Sequence, residues 1–141
     1  VSPMDFTVRA INEDKTIEVS KFNAYVERTM ALSGGTDPNK IMTGVVIEPD
    51  GTVRPVPTKV VIINGKSYAK ISSMTNSVYS VVWHPVEFGD VTNHWVKRTI
   101  GDLGSRMIID GTGNGMFSPD REITRAEFAA ILVRGLGRLP D

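Results

Sequence analysis

The most constraining stretch of the chain is Asp110–Asp120, DGTGNGMFSPD, together with the residues that follow it. Gly111, Gly113 and Gly115 alternate with small polar residues, which excludes a regular helix or strand and permits backbone conformations closed to residues with a side chain. Phe117 supplies an apolar anchor for this loop, and Pro119 stiffens its exit. A helix must begin soon afterwards. Thr124, with Glu127 three residues on, is a capping box in which each side chain satisfies the other's backbone N–H. Ile123 and Phe128 are spaced for a hydrophobic staple, Phe128, Ile131, Leu132 and Leu136 form the expected core-facing stripe, and Gly137 with Pro140 ends the helix.

The residues before the loop have the same period. After Phe88-Gly89-Asp90, Val96, Ile100, Leu103 and Met107 recur at i, i+4, i+7 and i+11, which predicts one face of a first helix ending near Arg106. Thr92 or Asn93 can cap it, while Gly101 and Gly104 weaken it or permit close packing. Ile108 and Ile109 lead back to the core.

Upstream, the period is two. Phe6, Val8 and Ala10 alternate with Thr7 and Arg9 as in a half-buried strand, Asn12–Lys15 is a polar turn, and Ile17 and Val19 resume the alternation. Phe22–Met30 fits either a strand or a helix face; flanking β-branched residues and the lack of a cap favour the strand. Ser33–Asn39 is a loop by composition. Val45–Ile47 and Thr52–Val56 flank an Asp50-Gly51 turn, with Pro55 and Pro57 placing the second strand at an edge. Val60–Ile63 runs into Asn64-Gly65, suited to a type I′ turn, with Tyr68, Ala69 and Ile71 on the return and one more strand over Ser77–Trp83. The expected architecture is α+β: an antiparallel β-rich domain over residues 1–86, a small sandwich or sheet, followed by a helix–loop–helix unit over 87–141.

Composition removes several functions. Sixteen Lys and Arg balance sixteen Asp and Glu, so no net field draws nucleic acid or an anionic membrane. With no cysteine there is no disulfide, thiolate nucleophile or thiolate metal ligand. No apolar run approaches the roughly 20 residues that span a bilayer, so membrane insertion is not expected. The chain opens on a strand pattern and not on a signal peptide, as a piece of a longer secreted protein would.

The C-terminal unit resembles the S-layer homology domain. The likeness rests on the ordered set Phe88, Asp90, His94-Trp95, Ile100, Leu103, then Gly113, Gly115, Phe117, Pro119, and Ile123-Thr124-Arg125-Ala126-Glu127-Phe128. It implies a secreted protein held non-covalently on the wall of a Gram-positive bacterium through a secondary cell-wall polysaccharide attached to peptidoglycan, often anionic and pyruvate-bearing. It also implies a three-pronged assembly of such modules with glycan in grooves between prongs. The Thr-Arg-Ala-Glu signature occurs once here, and one copy cannot form that groove alone. A homotrimer, sister modules elsewhere, or a structural or oligomerisation module that caps the β domain without glycan are the readings left open.

Six residues are candidates for glycan contact. Arg125 lies in the first turn of its helix, where a cation opposes the dipole, so local stability does not explain it. Beside free backbone N–H groups its guanidinium makes a forked carboxylate site; the competing reading is an ion pair with Asp90 or Asp120. Trp95 can stack on a sugar ring or sit in the core, and Lys97, with Arg98, borders an anion groove or a solvated face. Thr124, Glu127 and Asp90 complete the set, although the capping box alone explains the first two. His94 suits packing or capping, and His84, beside a proline, a structural or solvated place. Asp110, Thr112, Asn114 and Gly115 stand at calcium-loop positions, but Arg121 replaces the required glutamate, so no metal is assigned. No cofactor is expected, nor catalysis, because no motif pairs two carboxylates.

Overall fold

The computed structural model describes residues 1–34, 37, 39–40 and 42–138. Its β-rich part comprises β1 (Met4–Asp5), β2 (Val8–Asn12), β3 (Lys15–Val19), β4 (Lys21–Ala31), β5 (Met42–Ile47), β6 (Val53–Val56), β7 (Thr58–Ile63), β8 (Lys66–Thr75) and β9 (Val78–Trp83). A 3₁₀ turn (Gly89–Val91), α1 (Lys97–Ser105) and α2 (Arg125–Gly135) follow. The class is α+β, dominated by antiparallel strands.

Two sheets enclose the larger core. One has the order β1-β9-β5-β6 and the other β4-β8-β7, all pairs antiparallel. Met30, Ala69 and Ile71 from one sheet meet Val46, Val56, Tyr79 and Val81 from the other, with Phe6 packed against them. Local chemistry fixes the turns. Asn64 and Gly65 adopt φ of 50° and 75°, as a type I′ turn requires, and set the β7–β8 register. Asp50 accepts from the backbone and hydroxyl of Thr52 at 2.9 and 2.7 Å, closing the β5–β6 turn. Pro55 lies in β6, an edge strand, where its missing N–H costs no ladder bond. Phe22–Met30 belongs to β4, as the β-branched neighbours indicate.

The first strands depart from expectation. β2 and β3 form a separate two-stranded ribbon, and Ile11 and Ile17 are 75% and 64% exposed. Alternation makes the ribbon two-faced, but no described element covers either face. The loop predicted over Ser33–Asn39 lies partly outside the described residues, and so does Pro140.

A second core joins the helices. Phe88, Val91, Ile100 and Ile109 are buried, with Val96, Leu103, Phe117 and Ile131 packed around them. α1 has Val96 at its N-cap position and no side-chain cap: Thr92 instead donates to the Gly89 carbonyl at 2.9 Å. Arg106 ends α1, so Met107, at φ 60°, lies beyond the helix whose face it was expected to extend. α2 has the predicted capping box and stops at Gly137, whose φ of 60° lets Gly137 and Arg138 donate back to Arg134 and Val133. The stripe is where α2 differs. Phe128, Leu132 and Leu136 are 55%, 49% and 50% exposed, and Ile123, the other half of the staple, is 54% exposed. Only Ile131 of the four packs into the core. The periodicity correctly aligns these residues; the structure leaves their face open.

Both helices bring their C-terminal ends to the sandwich. Thr43 donates to the Ser105 carbonyl at 3.3 Å, Tyr25 to that of Leu136 at 2.7 Å, and Arg54 to that of Gly137 at 2.8 Å. Carbonyls left unpaired at a helix end thus find donors. A Cβ on Gly137 would stand 2.5 Å from Pro57 Cδ, so glycine is also what lets the chain approach β6 so closely.

Candidate functional site

The N-terminal end of α2 is built by short-range bonds. Glu127 N–H donates to Thr124 Oγ1 at 3.2 Å, and Glu127 Oε2 accepts from the Thr124 backbone and hydroxyl at 2.8 and 2.9 Å. Its other oxygen accepts from Arg121 at 2.5 Å. The Arg121 bond, followed by those of Thr124, holds the Glu127 carboxyl down at about 2. Thr124 and Glu127 are therefore accounted for by the helix start.

Asp90 ties the first turn to the glycine loop. Its two oxygens accept from the backbone N–H groups of Phe117 and Ser118 at 2.9 and 2.6 Å, and the Phe117 bond leads in holding its carboxyl below the usual range. Within the loop, Gly113 and Gly115 have φ of 111° and 71°. Gly111 serves differently: a Cβ there would stand 2.5 Å from the Met116 carbonyl and 2.7 Å from Phe88, so it permits a close approach. Two of the three side chains that suggested calcium are engaged within the protein. Asp110 pairs with Arg134 at 2.8 Å, and Thr112 bonds Ser118 at 2.8 Å.

Arg125 has no ion pair among the described residues. Asp90 is committed to the loop, and Asp120 stands 3.9 Å from His94, so neither expected partner is used. Arg54, Arg106, Arg121 and Arg134 are all paired with carboxylates. Trp95 is 87% exposed, which excludes the core reading, and its ring lies 5.8 Å from that of His94. The His94 Nδ1 accepts from the Val96 N–H at 3.3 Å, a local cap for the approach to α1.

Two grooves flank these residues. One runs between the glycine loop and α2, crossed by the Arg121–Glu127 and Arg134–Asp110 pairs over an apolar floor that includes Ile109 and Ile131. The other lies between α1 and the segment 85–88, with Lys97 and Arg98 beside Glu87 and Asp102. Of the six predicted residues, Glu127 lines the first and Lys97 the second; Arg125, Trp95, Thr124 and Asp90 line neither. Arg134 was not anticipated, although it stands seven residues after Glu127, two turns along the same helix.

Residues 87–129 match the family model of the S-layer homology domain. Those residues are an S-layer homology domain. The chain is 26% identical over 136 residues, 93% of its length, to an amylopullulanase of Thermoanaerobacterium thermosulfurigenes. Over 35% of its length it is 41% identical to endo-1,4-beta-xylanase A of Thermoanaerobacterium saccharolyticum. Over 41% it is 42% identical to an S-layer-related protein of Niallia circulans. It spans only 7%, 4% and 4% of these relatives. No solved structure matches the chain. The S-layer homology domain sets the chain among proteins of the cell surface and wall, and among the described residues no helix is long and apolar enough to cross a membrane.

Proposed function

We propose that the chain anchors a bacterial surface protein to the cell wall by non-covalent binding of a secondary cell-wall polysaccharide on peptidoglycan, and has no catalytic role of its own. Residues 87–141 act as the binding domain and residues 1–86 as a separate domain that carries it. Arg125 receives the anionic substituent, Trp95 stacks on a sugar face, and Lys97 supplies a second cation. Thr124, Glu127 and Asp90 hold the helix start and loop that present them.

The observation that carries this reading is the state of Arg125. It is exposed in the first turn of α2, against the dipole, with no carboxylate partner among the described residues. The open stripe Phe128, Leu132 and Leu136 receives sister modules, from two further chains in a homotrimer or from elsewhere in a longer one. That same stripe favours the second reading, a purely structural or oligomerising module without glycan. Arg125→Ala separates the two. Glycan anchoring predicts weaker sedimentation with purified walls at unchanged thermal stability; unchanged sedimentation contradicts a ligand role for Arg125.

A further inference from the structure

A small groove opens where the end of α2 meets the sandwich. Lys21 and Phe22 of β4, Arg54 of β6, Ser73–Thr75 of β8 and Arg138 line it. Three of these side chains are cationic, and no acidic residue is among the described lining. Arg54 is engaged by Glu48 at 3.1 Å and by the Gly137 carbonyl. Lys21 and Arg138 are exposed, and neither has an ion pair among the described residues.

A fourth cation lies behind the wall. Arg28 is only 5% exposed; it donates to the carbonyls of Val26 and Ser73 at 3.0 and 3.5 Å and to Asn76 Oδ1 at 2.7 Å. Its guanidinium lies 5.9, 5.8 and 5.0 Å from the rings of Phe6, Phe22 and Tyr79. Carbonyls and ring faces satisfy its N–H groups, yet no carboxylate among the described residues balances its charge. Phe22 and Ser73 touch Arg28 and also line the groove. Its field therefore reaches the groove through protein, where screening is weaker than in water.

We infer that this groove binds an oxyanion, a carboxylate or a phosphate, carried on an acidic sugar or a phosphate-bearing polymer. Lys21 and Arg138 supply charge-assisted hydrogen bonds. Phe22 and Met74 form an apolar wall for the body of the ligand. Because the sandwich and Arg138, just beyond α2, both contribute, an occupied groove ties the two domains together and stabilises the folded chain. The inference is independent of the glycan reading: Arg125 is at the opposite end of α2, roughly 16 Å away at 1.5 Å per residue.

Backbone amide shifts at Phe22, Thr75 and Arg138, followed by NMR at constant ionic strength, test it. The probes are sodium phosphate, sodium glucuronate and, as a neutral control, glucose. Saturable shifts with either anion and none with glucose are expected, and the anion that saturates identifies the source chemistry. A Lys21→Gln/Arg138→Gln double variant, altered only at exposed positions, should bind about tenfold more weakly or worse, as the loss of at least one charge-assisted bond implies. Linear shifts with both anions, an equal response to glucose, or undiminished binding by the variant would overturn the proposal.

Discussion

Glu127 accepts from three donors, the Arg121 guanidinium and the backbone and hydroxyl of Thr124. Its pKa of about 2 lies below the 4.5 of an unperturbed glutamate. The charged carboxylate therefore stabilises the fold fully above pH 4.5, and this contribution is lost as the pH falls from 4.5 through about 2. A carboxyl titration by NMR should place the midpoint near 2, and Arg121→Gln should raise it. Thr124→Ala removes the cap from the other side and should cost about 1 kcal/mol in urea unfolding. The Thr124–Glu127 contacts were legible in the sequence because they join residues three apart, whereas the Arg121 pair has no such local signature. Asp90 was not: its partners, Phe117 and Ser118, are 27 and 28 residues away, and nothing in a local pattern distinguishes a loop clamp from a ligand contact.

Helix α2 shows how far periodicity extends. The spacing of Phe128, Leu132 and Leu136 predicts one face correctly, but what covers that face depends on neighbours, and the described chain supplies none. The β2–β3 ribbon has the same property: alternation gave the strands, and their burial could not be inferred from it. The open face of α2 makes Leu132→Asp informative. It should change the folding stability of the isolated chain by no more than about 0.5 kcal/mol, while reducing any self-association seen by analytical ultracentrifugation. The end of α2 should behave oppositely. Gly137→Ala places a Cβ against Pro57 at a positive φ and should destabilise the chain by about 1–3 kcal/mol in urea unfolding.

Across the whole molecule, α1 and α2 turn their C-terminal ends to the sandwich, where Thr43, Tyr25 and Arg54 receive their carbonyls. The candidate glycan residues Arg125, Trp95 and Lys97 stand at the other ends. That arrangement was hidden from the sequence, since the bonds that create it join positions 62 to 111 residues apart. The S-layer homology motif was legible because its signature is a compact series of turn, cap and core residues. What packs against the module was not, because a local signature carries no information about distant neighbours. Anchoring to a wall polymer is tested most directly by sedimentation of the protein with purified cell walls, intact or chemically stripped of the secondary polymer. The protein should pellet with intact walls and stay in the supernatant with stripped ones; equal pelleting with both would contradict anchoring through that polymer.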